Sequence, residues 1–241
     1  MPTPGQLYPT IVECHGGPFW AYWSGWLGSW HEWAQLLASN GYVVFLANER
    51  GSSGQGWQLA EAVRGDLGGM DFEDIMDGLD SLIEQKIADP NRLGVGGYSY
   101  GGFMTAWAVT HSHRFKAAVV GAAATDWFSL NGTYGAPDNL KPYFAGKSFV
   151  DDRAGYDTSS PMSFIRNCKT PSFILHGEAD QGVRVTQGWE FYNGLKMLGV
   201  PVEMVIYPRE PHAPFKERAH ISDLLTRVLD WYDKCLKLDH Q

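Results

Sequence analysis

The segment Leu93-Gly-Val-Gly-Gly-Tyr-Ser-Tyr-Gly-Gly-Phe103 decides the architecture. It opens as a short apolar strand and continues, over residues 103–110, as a helical run, so Gly97, Ser99 and Gly101 form G-x-S-x-G at a strand-to-helix turn. A serine on so sharp a turn takes crowded backbone angles, and neighbours without side chains two residues away on each side relieve that crowding. Ser99 is therefore the candidate nucleophile, projecting above a sheet. Its place at a helix amino terminus sets unpaired N–H groups and the positive dipole end beside a developing oxyanion, with Tyr100 N–H as first donor. A dinucleotide reading of Gly94-x-Gly96 fails for want of a third glycine and of a suitably spaced acidic strand end.

Outward from this turn, strand and helix signals alternate along the whole chain, which predicts an α/β protein with a mostly parallel sheet covered by helices on both faces. Strand candidates are 10–14, 42–47, 93–97, 117–121, 172–176 and 202–207, each short, apolar and rich in β-branched residues. Phe72, Ile75, Met76, Leu79, Leu82 and Ile83 share one helical face, as do Leu224, Leu225, Val228, Leu229, Tyr232 and Leu236. Residues 126–167 break the rhythm, rich in Gly, Pro, Ser, Asp and aromatics, and are expected to form a short lid. With the serine turn, this pattern predicts one α/β-hydrolase domain over residues 1–241.

The composition agrees with a compact globular chain: 241 residues, 44% hydrophobic and 19% charged, enough to bury a large core without disulfides or metals. Three cysteines at wide spacing, Cys14, Cys168 and Cys235, argue for free thiols in a reducing compartment. A formal charge of −8 with no basic run disfavours nucleic-acid binding. No leader-like or membrane-spanning stretch stands out, and a cytoplasmic protein is the expectation.

A serine hydroxyl needs a base, and the base needs an orienting acid. The stretch 172–180, Ser-Phe-Ile-Leu-His-Gly-Glu-Ala-Asp, is a strand and tight turn ending in a carboxylate, which makes Asp180 the acid in preference to Glu178. Residues 208–212, Pro-Arg-Glu-Pro-His, follow the last strand and make His212 the base. His220 competes by proximity but opens the last helix, where a surface place is expected. His176 is expected buried at its strand end, holding the acid turn. His111 and His113 close a helix, where cations are favoured without a catalytic role. After the first strand, His15-Gly-Gly-Pro18 stands where a second oxyanion donor belongs, either a backbone N–H or the His15 side chain. Arg50-Gly-Ser-Ser-Gly-Gln-Gly56 lacks the Lys-Ser/Thr ending of a phosphate loop and is placed at the site rim.

With these residues in place, the chain resembles the hydrolase domain of the prolyl oligopeptidase family of serine peptidases, especially its acylaminoacyl-peptidase and dipeptidyl-peptidase-like branches. The resemblance runs from about Tyr8 to Leu236 through YPTIVECHGGP, ANERGSSGQG, GGYSYGGFMTAWAVTHSHRFKAAV, TDWFS, TPSFILHGEAD and GVPVEMVIYPREPH. It implies Ser99, Asp180 and His212 as a catalytic triad, Tyr100 and His15 at the oxyanion hole, and cleavage of short peptides or N-acylated amino acids. Family members commonly carry a β-propeller before this domain, and this chain starts almost at the His-Gly-Gly-Pro strand, as a minimal enzyme or part of a longer one would. The family also commonly has Arg or Asn two residues after the aspartate to bind a substrate carbonyl, where this chain has Gly182.

Trp20, Trp23, Trp26, Trp30 and Trp33 concentrate half of the ten tryptophans in one short segment, beside Phe19 and Tyr22. Trp30 and Trp33 fit core packing. The others suit a wall for an apolar acyl group, with Trp20 in the pocket, or a contact surface, including one between copies of the chain over residues 19–33. Trp127, Phe128 and Tyr134 line the pocket from the lid or pack within it, and Val183 borders it from the acid turn. The expected chemistry is a serine hydrolase working through an acyl-enzyme, with no metal or organic cofactor. Its substrate is a short peptide or a small apolar ester, and a carboxylesterase is the competing reading. A catalytically silent binding module is the third reading.

Overall fold

A computed structural model, which describes residues 3, 5–26 and 28–237, places six strands in one sheet of order β2-β1-β3-β4-β5-β6, every neighbouring pair parallel. The strands are β1 (Tyr8–Cys14), β2 (Val43–Leu46), β3 (Ala88–Tyr98), β4 (Ala117–Gly121), β5 (Ser172–Gly177) and β6 (Val202–Tyr207). Parallel neighbours require crossovers, which α1 (Ala34–Ser39), α2 (Trp57–Glu61), α3 (Met70–Glu84), α4 (Tyr100–His111), α5 (Trp127–Thr133), α6 (Arg153–Thr158) and α7 (Val185–Met197) supply, before α8 (Arg218–Leu236) closes the described chain. This is the α/β-hydrolase fold. Two apolar clusters lie on its two faces, one around Phe103 and Phe191, the other around Trp33 and Tyr232.

All six strand candidates are present. β3 begins earlier than expected because its first half carries partly exposed polar residues and gives no apolar signal. Helix α4 is buried from Tyr100 to Thr110, so it has no polar face and leaves no helical period to read. Its glycines let backbones touch: a Cβ on Gly101 would stand 1.9 Å from the Cys14 carbonyl oxygen, and one on Gly102 would stand 2.1 Å from that of Gly121. Helix α4 is thereby wedged against the ends of β1 and β4.

The stretch between β4 and β5 is folded into α5, a 3₁₀ segment Pro137–Phe144, α6 and a second 3₁₀ segment Pro161–Asn167. Such short helices are not stable alone, and here caps and packing hold them. Asp126 accepts from Ser129 N–H and Asp152 from Gly155 N–H, while Gln187 of α7 accepts from the N–H groups of Thr125 and Asp126. Phe144 stacks on Tyr156 at 3.6 Å between ring centroids.

Strand order reverses between β1 and β3, and parallel sheets open a crevice at the carboxyl ends of the strands where this happens. The His15-Gly-Gly-Pro18 turn leaves β1 and Ser99 leaves β3, so both candidate elements meet in that crevice.

Candidate active site

Ser99 has φ 61° and ψ −119°, a conformation that costs a non-glycine residue about 1–3 kcal/mol and persists only when neighbours over-determine it. Two backbone bonds do so, Ser99 N–H to the Gly121 carbonyl at 2.9 Å and Phe103 N–H to the Ser99 carbonyl at 2.9 Å. The His212 and Ser99 side chains then meet at 2.8 Å, Nε2 to Oγ, and His212 Nδ1 lies 2.7 Å from Asp180 Oδ2. A carboxylate only accepts, so the imidazole proton sits on Nδ1 and Nε2 is the acceptor for the serine proton. Tyr98 Oη donates to the His212 carbonyl at 2.7 Å and holds the His212 loop.

Asp180 is buried, which by itself raises a carboxyl pKa, but bonding to His176 and His212 more than offsets that and brings it down to about 2. Its Oδ1 also accepts from the N–H groups of Gly182 and Val183 at 2.8 and 2.7 Å. His176, wholly buried, donates from Nε2 to the Val183 carbonyl at 2.8 Å and stands 3.5 Å from Asp180 Oδ2, so it braces the acid turn. Glu178 instead accepts from Arg209 N–H on the surface.

His220 is not the surface residue expected. Its Nδ1 donates to buried Glu210, 2.8 Å away, and Glu210 also accepts from the N–H groups of Lys216 and Glu217 at the head of α8. The Glu210 carbonyl accepts from Ala179 N–H, tying the His212 loop to the Asp180 turn.

The His15 side chain is committed elsewhere. Nδ1–H donates to the Gly16 carbonyl at 2.7 Å, and because burial pushes the ring toward its neutral form, Nε2 accepts from Ser52 Oγ–H at 2.8 Å. The ring has no proton left for an oxyanion, which leaves the backbone alternative. The turn itself does reach Ser99: a Cβ on Gly16 would stand 3.7 Å from the Ser99 Cβ, and Gly17 and Tyr100 both line the cavity at the serine. Tyr100 N–H is first in α4 and has no intrahelical acceptor. Its ring is pinned by a 2.5 Å bond from Tyr100 Oη to Asp71 in α3.

Two cavities flank Ser99. One, of about 330 Å³, is walled by Trp127, Leu130, Tyr134, Leu140, Tyr143 and Val183. The other, of about 300 Å³, lies on the His15 side and includes Trp20, Tyr22, His31 and Glu32. Trp127, Tyr134 and Val183 therefore reach the first cavity and Trp20 the second. Phe128 reaches neither; it packs under the Arg153 guanidinium at 3.6 Å and against Phe149. Leu130, Leu140, Tyr143 and Glu32 were not foreseen, although a carboxylate among tryptophans was a readable signal. Gly182 packs on the His212 ring: a Cβ there would stand 3.2 Å from His212 Cγ.

Residues 29–239 match the family model described as the prolyl oligopeptidase family. This chain belongs to that family. It is 36% identical over 233 residues to an uncharacterized peptidase of Bacillus subtilis, covering 95% of this chain and 35% of that protein. It is 33% identical to dipeptidyl-peptidase 5 of Porphyromonas endodontalis, with 96% and 34% covered. Acylaminoacyl peptidase of Pyrococcus horikoshii superposes with a TM-score of 0.88 at 29% identity, over 99% of this family member and 39% of that chain. The chain thus spans about a third of the length of the curated relatives it matches.

Among the described residues no helix is long and apolar enough to cross a membrane.

Proposed function

We propose that this chain is the catalytic unit of a serine peptidase that cleaves short peptides or N-acylated amino acids through an acyl-enzyme. The carrying observation is the unbroken hydrogen-bonded line Ser99–His212–Asp180 at a strained serine turn. In this reading Ser99 Oγ attacks the carbonyl carbon while its proton passes to His212 Nε2. The ionised Asp180 steadies the imidazolium, and Tyr100 and Gly17 N–H groups receive the oxyanion. His212 then hands the proton to the leaving amine, and water repeats the sequence on the acyl-enzyme.

The relatives named as peptidases support peptide bonds as the target. A second reading, small apolar esters, is favoured by Gly182, which offers no side chain to a substrate carbonyl. Amide cleavage needs such register-fixing contacts more than ester cleavage does. Residues 126–167 act as the lid of a single domain in this proposal. Free thiols at Cys14, Cys168 and Cys235 support placing the chain in the cytoplasm, and the exposed rings of Phe19, Trp23 and Trp26 support a contact between copies.

A fluorophosphonate is expected to label Ser99 in the wild type and to leave Ser99→Ala untouched, with turnover falling on the order of 10⁴-fold and thermal unfolding unchanged. A matched panel of p-nitrophenyl esters, aminoacyl nitroanilides and acylated amino-acid amides then ranks the two readings. An unlabelled wild type, or a Ser99→Ala protein keeping a tenth of the activity, would overturn the proposal.

A further inference from the structure

Ser99, Gly17 and His212 line both cavities, so the reacting bond belongs at their junction with one half of the substrate in each. The cavities differ in chemistry. The first has aromatic and aliphatic walls with no carboxylate, whereas the second brings Glu32 in among Trp20, Tyr22, Tyr98 and His31. Glu32 is only 9% exposed, and its Oε1 is buried without a hydrogen-bond partner. A buried carboxylate oxygen left unpaired is costly, and such a group in a native protein asks for a partner.

No lysine or arginine lines this cavity. Of its three histidines, His15 and His31 are pushed toward the neutral form by burial, and His212 is engaged with Asp180 and Ser99. Nor do the neighbouring carboxylates make a metal site: Glu13 and Glu49 also carry unpartnered oxygens, but among the described residues no ligand cluster forms from them with Glu32. What remains is a cavity with one carboxyl oxygen that no donor meets and electron-rich ring faces, Trp20 and Tyr22 standing edge to face at 5.4 Å; burial raises the Glu32 pKa, and a cation seated beside it draws the carboxyl back to its charged form. That combination attracts an alkylammonium or guanidinium group, by charge and by the ring quadrupoles together.

We infer that the cavity on the His15 side is a subsite for a cationic group on the leaving half of the substrate, held by Glu32 within the Trp20–Tyr22 aromatic wall. Placing the leaving half here is part of the same inference: Ala213 and Tyr98 line this cavity beside His212, which lines both, and the acyl-half arm of the test decides between them. The inference rests on the serine-hydrolase reading of Ser99 and deepens it.

The test is kcat/KM for acyl-Xaa amides with one fixed neutral acyl group and Lys, Arg, norleucine or Glu as the leaving residue. In the wild type Lys and Arg should exceed norleucine by on the order of tenfold, with Glu poorest. Glu32→Gln, close in shape, should bring the Lys-to-norleucine ratio to about one, and Glu32→Lys should turn the preference toward Glu. A wild type indifferent to leaving-residue charge overturns the inference without any variant. So does a ratio that survives Glu32→Gln, or a charge preference that appears only when the cation is moved to the acyl half. Fluorophosphonate labelling of Ser99 in each protein separates these outcomes from failure of the hydrolase reading itself.

Discussion

Asp180 behind β5 and Glu49 behind β2 occupy comparable places, each buried past the carboxyl end of a parallel strand and each beside a histidine ring. Asp180 collects bonds from Gly182 N–H, Val183 N–H and His212 Nδ1, with His176 3.5 Å away, and stays ionised with a pKa of about 2. Glu49 has its nearest His15 nitrogen at 3.7 Å and an Oε2 with no partner, and burial pushes its pKa up to about 8. Glu13, in β1, shares that fate: it accepts from Trp33 N–H but keeps an unpartnered Oε2, and burial takes it to about 8 as well. Depth of burial is similar in the two regions; the number of donors aimed at the carboxyl decides whether it holds a charge.

The sharpest break in this comparison is Asp180→Asn, which keeps the shape but removes the charge and lets His212 take the wrong tautomer. Turnover should fall on the order of 10⁴-fold. Glu49→Gln should leave ester turnover near wild type, and an Asp180→Asn enzyme within tenfold of wild type would erase the distinction.

His176→Phe removes one brace from Asp180. The carboxyl pKa, followed by carbon NMR of labelled aspartate, should rise from about 2, and kcat should drop roughly tenfold. An unmoved carboxyl resonance would mean that His176 only fills space.

Gly182→Ala presses on the His212 ring from 3.2 Å without touching any donor. A loss of about threefold in kcat is expected, with acid stability unchanged.

The smallest effect is on stability. Glu13 and Glu49 have folded pKa values near 8, above the value of 4.5 taken for an unperturbed glutamate, so the fold binds their protons more tightly than the unfolded chain. Their contribution is complete below about pH 4.5 and is lost as the pH rises through 8. Asp180 has the opposite sign, contributing above 3.8 and losing it toward 2. Melting temperature should therefore fall by roughly 3 °C or more between pH 5 and 9, and Glu13→Gln should flatten that decline. A flat wild-type profile would show that both glutamates find partners in solution.

Most of the fold was legible because parallel strands buried on both faces read as short apolar runs, and β4 and β6 match residue for residue. Ser99, Asp180 and His212 were nameable because each follows a strand that the pattern marks, and the structure brings their side chains together. The helices between β4 and β5 were not legible: α5 and α6 are seven and six residues long, too short for a period, and their caps Asp126 and Asp152 look like loop residues in sequence. The misplacement of Phe128 has the same root, since α5 turns the neighbouring rings apart and, of the two, Trp127 faces the cavity. The choice between the His15 side chain and a backbone donor, and the partly buried place of His220, were not legible for another reason. Their partners, Ser52 and Glu210, are chosen by loop geometry that no local spacing encodes.

The backbone contacts of Gly101 and Gly102 have a consequence for descent with modification. These glycines are required because main chains from β1, β4 and α4 touch there, whatever atom Ser99 carries. Under the proposed function, a descendant that exchanged the serine for alanine would lose its chemistry in one step, while the main-chain contacts would still require both glycines. In such a lineage the glycine frame of the motif would outlast the reaction, and the hydroxyl at position 99 would record whether the reaction is still under selection.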